Sequence, residues 1–474
     1  MRVYPAIKLD PSQDIPLFEQ LADELENAIH MGRLEEGQML PSSREFAQFL
    51  FISRGTVVRA YALLMKKGLV QGLKAKGLIV SKSPLPSRSS RLSELTTNTF
   101  DDSTSVEDSS NQQLSVEDVT KAAVPRELLP AKRWRELVMT HCSQLGKTYH
   151  TDALGAPDLR LAVSRFLNAT RGLTCTADQI SVFTNTDQAL DTIARLLVKP
   201  GDTVIVEEPG YIGVANIFGA SGANLVSNGI DGEGMTVDTL NSLSVSPKVL
   251  YATPISQDPT GVVMTEARQH ALIQWAKAND CIIVEDSWDT DFWHTRQSEP
   301  CMQQKAPEQI IYLYSFWKLL FPLSNACFLV FPERLIPELR RLRALINRPP
   351  ISIELMALTD LLDNGEVDAL ASKLQKSYRR RRQILIYSLS KAFGRTIKIS
   401  PTSGGTHILV QFLLNNTKEK VLEEARECGF KILSLDDYYF DGRATDQFIF
   451  FFTNVSASLV EDQAQKLKSR LTEK

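Results

Sequence analysis

Hydrophobic residues near the start of the chain recur with the period of an α-helix. Leu17, Leu21, Leu25 and Ile29 stand four residues apart, and most positions between them are polar. This spacing puts the four side chains on one face and predicts an amphipathic helix packed against a core. Gly32 follows, and glycine is a common helix end.

Two more helices and a hairpin are predicted before residue 80. Ser42, after Pro41, is typical of a helix N-cap, and Ser53 is typical of the cap of a third helix that runs to about Lys66. The inner face of this third helix carries three residues: Val57, Tyr61 and Leu64. Glycines then separate two short apolar runs, 69–70 and 78–80, which predicts a β-hairpin.

A serine-rich stretch follows and divides the chain. Residues 81–112 hold ten Ser and four Thr in 32 positions, with few large apolar side chains. Such a segment buries too little surface to offset the entropy of ordering it, so it predicts a flexible linker. The predicted organisation is a small domain over 1–80, a linker over 81–125 and a large domain over 126–474.

Strand-like and helix-like patterns alternate in the large domain. Short apolar runs rich in β-branched residues occur at 202–206, 249–252, 281–284 and 310–314, and a helical pattern spans Glu266–Ala278. This alternation predicts an α/β fold with a mostly parallel sheet. Ligands of such sheets bind beyond the carboxyl ends of the strands.

Composition and charge narrow the function. The 474 residues include 53 basic and 56 acidic side chains, and 43% are hydrophobic. These values exclude disorder along the whole chain and a uniformly basic nucleic-acid coat protein. The six cysteines form no C-x-x-C pair, and no apolar run reaches the ~20 residues of a membrane span, so we expect a soluble cytoplasmic protein.

The charge is nevertheless uneven within the first 80 residues. Residues 1–45 carry four basic and nine acidic side chains, whereas 46–80 carry six basic side chains and no acid. A cationic surface without anions is what binding to a nucleic acid requires. A solvated basic face on a small helical domain is the alternative, and charge alone leaves both open.

The motifs in this region carry a family resemblance. Residues 16–80 resemble the GntR-type winged helix-turn-helix, with its marks at 32–34, 40–44, 53–57 and 68–69. The resemblance implies a recognition helix in the DNA major groove and a dimer that reads two half-sites. It implies contacts with double-stranded DNA by Arg44, Ser53, Arg54, Thr56, Lys74, Lys76 and Gly77.

Two residues of the large domain stand where a ligand would bind. Asp286 immediately follows the strand run 281–285, and Lys318 lies four residues past the run 310–314, between Trp317 and Leu319. Desolvation lowers the pKa of an amine and makes it more nucleophilic. A lysine that extends to the surface and an aspartate that caps a helix are the alternatives.

A second set of motifs carries a resemblance to class I, fold-type I aminotransferases. These motifs occur in the order 154–160, 187–191, 200–202, 208–211, 258–261, 285–286 and 315–318. Together with a GntR-type domain, this arrangement resembles the MocR family of transcriptional regulators. The resemblance implies a PLP-transferase-like large domain with a pyridoxal phosphate site, in which Lys318 forms the Schiff base and Asp286 pairs with the ring nitrogen. The other implied cofactor residues are Thr186, Asp187, Tyr211, Asp258 and Trp288.

Several positions depart from the aminotransferase pattern. Asp258 replaces an asparagine, Trp288 replaces a tyrosine, and Asn325 replaces the arginine that binds the phosphate. The segment 447–452 lacks the arginine that binds a substrate carboxylate. The four arginines 379–382 are interpreted as the exposed surface of a helix rather than a second DNA patch.

These features predict a DNA-binding transcriptional regulator. Its large domain is expected to sense pyridoxal phosphate, or an amine or amino-acid effector, and to form a homodimer. Two alternatives stay open: an active pyridoxal phosphate-dependent aminotransferase fused to a DNA-binding domain, and a regulator whose large domain is only a dimerisation scaffold.

Overall fold

The chain folds into two compact units, a smaller unit of Met1–Asn111 and a larger unit of Gln112–Lys474. The computed structural model describes residues 9, 15–30, 34, 37–73, 77–81, 124–143, 152–243, 246–292, 301–346, 352–400, 404–414 and 416–472. Gly32, the predicted wing residues Lys74 and Lys76, and most of the predicted linker lie outside this part of the chain.

The smaller unit has the predicted order of three helices and a hairpin. Its elements are α1 (Leu17–His30), α2 (Ser43–Leu50), α3 (Arg54–Lys66), β1 (Val70–Leu73) and β2 (Gly77–Val80). The two strands are antiparallel, with Val70 opposite Val80. The fold class predicted for this region is therefore confirmed.

Local sequence explains where these helices begin. Ser42 accepts a hydrogen bond from the Glu45 amide, and the Glu45 carboxylate accepts one from the Ser42 amide, which forms a capping box at α2. Ser53 caps α3 in the predicted way, through the Thr56 amide. The predicted inner face of α3 is buried, and the Tyr61 hydroxyl donates to the Pro41 carbonyl at 2.9 Å.

The larger unit alternates helices and strands along most of its length. Its helices are α4 (Ala131–Ser143), α5 (Pro157–Arg171), α6 (Thr186–Leu197), α7 (Ile212–Ala220), α8 (Val237–Asn241), α9 (Glu266–Ala278), α10 (Met302–Lys305), α11 (Trp317–Leu320), α12 (Ile336–Ile346), α13 (Ile353–Asp363), α14 (Glu366–Phe393), α15 (Lys418–Glu427) and α16 (Val460–Thr472). Its strands are β3 (Ile180–Phe183), β4 (Thr203–Glu208), β5 (Asn224–Asp231), β6 (Gly234–Met235), β7 (Pro247–Ala252), β8 (Ile282–Asp286), β9 (Ile310–Ser315), β10 (Cys327–Val330), β11 (Ile397–Ser400), β12 (His407–Phe412), β13 (Ile432–Ser434) and β14 (Gln447–Phe451).

Eight of these strands form one sheet, in the order β3-β10-β9-β8-β7-β4-β5-β6. The central strands β5, β4, β7, β8 and β9 are parallel, and β10 pairs antiparallel with both β9 and β3. The mostly parallel sheet predicted from the sequence is therefore confirmed. Its parallel strands bring the residues after Glu208, Ala252, Asp286 and Ser315 to one edge.

Successive side chains of each strand point to opposite faces of this sheet, and both faces are apolar, so helices cover both. Val204 and Val206 of β4 belong to the apolar cluster that contains Leu190 of α6. Ile205, between them, belongs to the cluster on the other face, with Leu272 of α9. The central strands are consequently buried on both sides, which fixes the positions of the residues that follow them.

A second sheet of four antiparallel strands, in the order β11-β12-β14-β13, lies in the last quarter of the chain. His407 begins β12 opposite Phe451, the last residue of β14. No helix in the described ranges combines the length and hydropathy needed to cross a membrane.

Helix α14 contains the four arginines 379–382, of which Arg379 and Arg380 are exposed. Arg382 is buried, and Arg381 donates to the Glu127 carboxylate at 2.9 Å and to the Thr453 carbonyl. The interpretation of all four as exposed surface is therefore wrong for these two. A helix packed on one side buries part of any run of four residues, because such a run spans a full turn.

The turn between α2 and α3 holds Phe51 in a left-handed backbone conformation, with φ +55°. Its side chain is 95% exposed, so it contributes almost nothing to the core. A left-handed conformation costs a residue with a Cβ about 1–2 kcal/mol, whereas glycine adopts it freely. Phe51 is thus a strained residue that packing does not compensate.

We expect Phe51→Gly to stabilise the smaller unit by about 0.5–1 kcal/mol, because relief of the strain exceeds the added entropy of the unfolded chain. All five tryptophans lie between residues 134 and 317, so their fluorescence reports on the larger unit. Hydrogen exchange of the α2 and α3 amides is the suitable measurement. The matched control is Phe49→Gly, in the helical backbone of α2, which should destabilise the unit. Faster exchange in Phe51→Gly would contradict the strain argument.

Candidate functional site

A cavity of about 340 Å³ opens at the carboxyl edge of the large sheet. The seven predicted cofactor residues all line it: Thr186, Asp187, Tyr211, Asp258, Asp286, Trp288 and Lys318. The structure thus brings together residues that are spread over more than a hundred positions of the sequence. Further aromatic side chains complete the wall: Tyr251, Trp317, Phe321, His407, Tyr438 and Phe451.

Lys318 lies in the short helix α11, directly after β9, and its side chain is buried. Its Nζ atom lies 4.6 Å from the ring centre of Trp288 and 4.8 Å from that of Trp317. These are cation–π distances, so the two indoles replace part of the water that an ammonium group loses on burial. Burial lowers the pKa of Lys318, and the carboxylates of Asp289 and Asp258 oppose that shift.

A short chain of hydrogen-bonding distances extends from Lys318 into the protein. Lys318 Nζ donates to Thr406 Oγ1 at 3.2 Å, and Thr406 Oγ1 lies 3.3 Å from Asp289 Oδ2. Burial raises the pKa of Asp289 to about 7. Gly405 has φ +88°, and a Cβ there would lie 2.7 Å from Asp289 Oδ2, so only glycine allows this approach.

Asp286 ends β8 and faces the cavity from the floor of the site. Its Oδ2 atom accepts a hydrogen bond from the Tyr251 hydroxyl at 2.6 Å. Its Oδ1 atom is buried and has no hydrogen-bond partner among the described residues. Burial raises the pKa of Asp286 to about 7, although the Tyr251 hydrogen bond opposes the shift. This oxygen is suited to accept a hydrogen bond from the protonated ring nitrogen of a ligand.

Asp258 adds a second carboxylate to the wall. Burial raises its pKa to about 8, with a further contribution from the Asp286 and Asp289 carboxylates, while Lys318 opposes the shift. Asp187 is exposed at the start of α6, where it accepts a hydrogen bond from the Tyr211 hydroxyl at 3.2 Å. Among the described lining residues, Lys318 is the one side chain with a positive charge, so the cavity is predominantly acidic.

Trp288 and His407 form one side of the cavity. The Trp288 indole donates to the Ser256 carbonyl at 2.8 Å and stacks on His407, with ring centres 6.2 Å apart. His407 Nε2 lies 2.7 Å from the Pro259 carbonyl, and burial lowers the pKa of His407 to about 4. The imidazole is therefore neutral at physiological pH and supplies no charge for an anion.

Pyridoxal phosphate fits one end of this cavity and not the other. Lys318 and the free Oδ1 of Asp286 suit its aldehyde and its ring nitrogen. Asn325 lies where the resemblance implies a phosphate-binding arginine, and the start of α6 contributes Asn185, Thr186 and the carboxylate of Asp187. The described lining residues therefore do not fit the whole cofactor, because they offer its dianionic phosphate no cation besides Lys318.

The segment 447–452 contributes two side chains to the cavity. Ile449 and Phe451 of β14 line the cavity, and neither can bind a carboxylate. Sequence reasoning missed Tyr251, Asp289, Thr406, His407 and Tyr438. A signal existed for two of them: Asp289 lies three residues after Asp286, and Thr406 follows a pair of glycines that permits close approach.

Four of the seven predicted DNA-binding residues lie in the first turns of α2 and α3 or at their start, in the smaller unit. Arg44, Ser53 and Arg54 are exposed, and Thr56 is partly exposed. Arg54 Nε donates to Ser43 Oγ at 3.3 Å, which links the first turns of α2 and α3. Gly77 begins β2, whereas Lys74 and Lys76 lie outside the described residues.

One cation of this region is already paired. Lys67 lies against the carboxylate of Glu26, with Asp23 at 3.8 Å, so it is unsuited to bind a phosphate. The exposed cations of α3 in the described part are therefore Arg54, Arg59 and Lys66. No group of three metal-ligating side chains occurs within the described ranges.

Comparison with known families identifies both units. The family of bacterial regulatory proteins named gntR matches residues 17–80, and the family named aminotransferase class I and II matches residues 113–427. Among solved structures, kynurenine aminotransferase of Pyrococcus horikoshii, in complex with PMP, is 21% identical. It superposes with a TM-score of 0.69, over 80% of this chain and 98% of its own, which shows a shared fold.

Relatives of full length carry names of regulators. The chain is 27% identical to the uncharacterized HTH-type transcriptional regulator YdeL of Bacillus subtilis, over 97% of this chain and 98% of YdeL. It is 26% identical to the probable rhizopine catabolism regulatory protein MocR of Rhizobium meliloti, over 97% of this chain and 95% of MocR. It is also 26% identical to the pyridoxine biosynthesis transcriptional regulator PdxR of Corynebacterium glutamicum, over 94% of this chain and 93% of PdxR.

We expect Asp286→Asn to stabilise the larger unit in a pH-dependent way. The folded chain holds the Asp286 proton up to about pH 7, whereas the unfolded chain releases it near pH 4, so folding becomes less favourable as the pH rises through this range. The amide removes that penalty. The gain should be small below about pH 4 and should reach about 1–4 kcal/mol above about pH 7.

Denaturant unfolding followed by tryptophan fluorescence measures this gain. The control is Asp462→Asn, which removes an exposed carboxylate and should change stability little at any pH. A gain for Asp286→Asn that is equal at both ends of the pH range would contradict the buried ionisation.

Proposed function

We propose that this chain, which belongs to the aminotransferase class I and II family, is a DNA-binding transcriptional regulator with a ligand-binding large domain. The observation that carries the proposal is the pairing of a gntR-family domain at 17–80 with this family at 113–427. The full-length relatives named as regulators support it. A role on DNA implies the compartment that holds the DNA, which in a bacterium is the cytoplasm.

The predicted domain limits and interface follow from this proposal. Residues 1–80 would bind DNA, 81–125 would serve as the linker, and 126–474 would bind the effector and form a homodimer. Two copies would let the protein read two half-sites of an operator. The proposed contacts are Arg44, Ser53, Arg54, Thr56, Lys74, Lys76 and Gly77.

Arg54 is the contact with the strongest support. It is the first residue of α3, it is exposed, and its guanidinium is held toward the start of α2 by Ser43. Residues in the first turn of a recognition helix reach the base edges of the major groove. An arginine there can donate two hydrogen bonds to a guanine.

We expect Arg54→Ala to weaken binding to a duplex selected by the wild-type protein by about 5- to 150-fold, since one bidentate base contact contributes about 1–3 kcal/mol. Fluorescence anisotropy with the full chain measures the effect. Lys66→Ala is the matched control, because it removes a positive charge from the other end of α3 and should have a smaller effect. Equal losses in the two variants would indicate nonspecific attraction rather than base recognition.

The large domain would control DNA binding through the cavity around Lys318. A ligand shifts a protein between two arrangements only when it binds one of them more tightly. The proposed ligand is a carbonyl compound of the pyridoxal type, or an amine or amino acid that reacts with it. Pyridoxal phosphate is the form that the resemblance implies, and Lys318 and Asp286 support it. Asn325 does not.

We expect the wild-type chain to acquire visible absorbance when it is mixed with pyridoxal phosphate, and Lys318→Ala to lose most of it, because burial lowers the pKa of Lys318 and so favours the unprotonated amine that condenses with an aldehyde. Lys305→Ala is the control, since Lys305 pairs with the exposed Glu266 away from the cavity. No absorbance in the wild type would favour the scaffold alternative. Absorbance that persists in Lys318→Ala would assign the reaction to another lysine.

A further inference from the structure

The two ends of the cavity differ in the ligand groups that they can bind. The end at Lys318 and Asp286 holds a buried amine and a buried carboxylate oxygen without a partner. We call the part of the lining that comprises Asn185, Thr186, Asp187 and Asn325 the second end. The ligand class therefore depends on what this second end can hold.

Strand pairing brings the second end together. β10 pairs antiparallel with β3, with Cys327 opposite Phe183. Asn325 lies two residues before Cys327, and Asn185 lies two residues after Phe183, immediately before α6. Both residues line the cavity, and Asn325 has no hydrogen bond to any described residue. The side chains that Asn185 and Asn325 contribute to the cavity are thus neutral amides.

The charges at this end disfavour a phosphate. The amides at the start of α6 attract an anion, but the Asp187 carboxylate already lies in that first turn. A charge-assisted hydrogen bond from an arginine would improve binding of a phosphate by roughly 10- to 100-fold, and Asn325 cannot donate one. The described lining residues supply one cation, Lys318, and its Nζ atom is in contact with Trp288, Trp317 and Thr406.

We propose that the cavity selects an aromatic aldehyde that carries a basic ring nitrogen and no phosphate. This inference rests on the proposed function and specifies its ligand. Asp286 Oδ1 accepts a hydrogen bond from the protonated ring nitrogen. The aromatic side chains of Tyr211, Trp288 and Phe451 cover the ring. The neutral amide of Asn325 accommodates a methyl or hydroxymethyl group where a phosphate ester would need a cation.

Lys318 holds this ligand through a balanced condensation. The neutral Nζ amine adds to the carbonyl carbon, a C=N bond replaces the C=O bond, and the oxygen leaves as water with the two amine hydrogens. The proton released when the ammonium becomes an amine moves toward Asp289 through Thr406 Oγ1, along contacts of 3.2 and 3.3 Å. No oxidant or reductant is needed.

The test compares two aldehydes on the full chain. Deoxypyridoxal carries a methyl group in place of the phosphate ester, so it cannot close into a hemiacetal and its aldehyde stays free. Titration followed by visible absorbance gives the dissociation constant of each aldehyde. We expect the wild type to bind deoxypyridoxal at least about tenfold more tightly than pyridoxal phosphate.

A restored arginine gives the second measurement. Asn325→Arg should raise the affinity for pyridoxal phosphate by at least about tenfold and change that for deoxypyridoxal little. Asn364→Arg, at an exposed position after α13, should change neither. Tighter binding of pyridoxal phosphate by the wild type overturns this inference and leaves the proposed function intact. Binding of neither aldehyde overturns the inference together with the proposed ligand class.

Discussion

The burial of Lys318 among carboxylates is the constraint on which the site depends. An ammonium group loses its hydration inside a protein and needs nearby negative charge or π-electrons in return. Here Asp258, Asp289 and the indoles of Trp288 and Trp317 supply both. The same burial raises the pKa values of the carboxyl groups, so each proton gained or lost in the cavity changes the charge that its neighbours experience.

The sheet assembles this arrangement because its parallel strands end at one edge. Asp286 closes β8, and Lys318 follows β9, its neighbour in the sheet. The strands are buried on both faces, so their ends are held rigidly by apolar packing rather than by polar contacts. The small sheet then closes the cavity with His407, Ile449 and Phe451. A rigid frame of this kind tolerates polar substitutions in the cavity without loss of the fold.

The sequence predicted the parts of the fold that depend on local patterns. The bounds of α9 and the cap of α3 agree with prediction, because helical spacing and a serine cap are read within a few residues. The cavity brings together the predicted residues for the same reason: each lies in a motif at a strand end. Strand-end motifs point to neither Thr406 nor His407, since long-range packing of a separate sheet brings them to the cavity; the pair of glycines before Thr406 is the one local signal. The burial of Arg382 also depends on which face of α14 meets the core.

The departures from the enzyme pattern form a consistent set. Transamination needs a cation for the substrate carboxylate and a firm hold on the cofactor phosphate, and Ile449, Phe451 and Asn325 supply neither. The buried amine of Lys318 and the Asp286 Oδ1 oxygen, which has no hydrogen-bond partner among the described residues, line the same cavity. On the proposed function this combination is useful. A regulator needs a ligand that stays bound and shifts the equilibrium between two arrangements of the protein by about 1–3 kcal/mol, whereas an enzyme must release its product. Capture without a second substrate site therefore accords with a sensor joined to a DNA-binding domain.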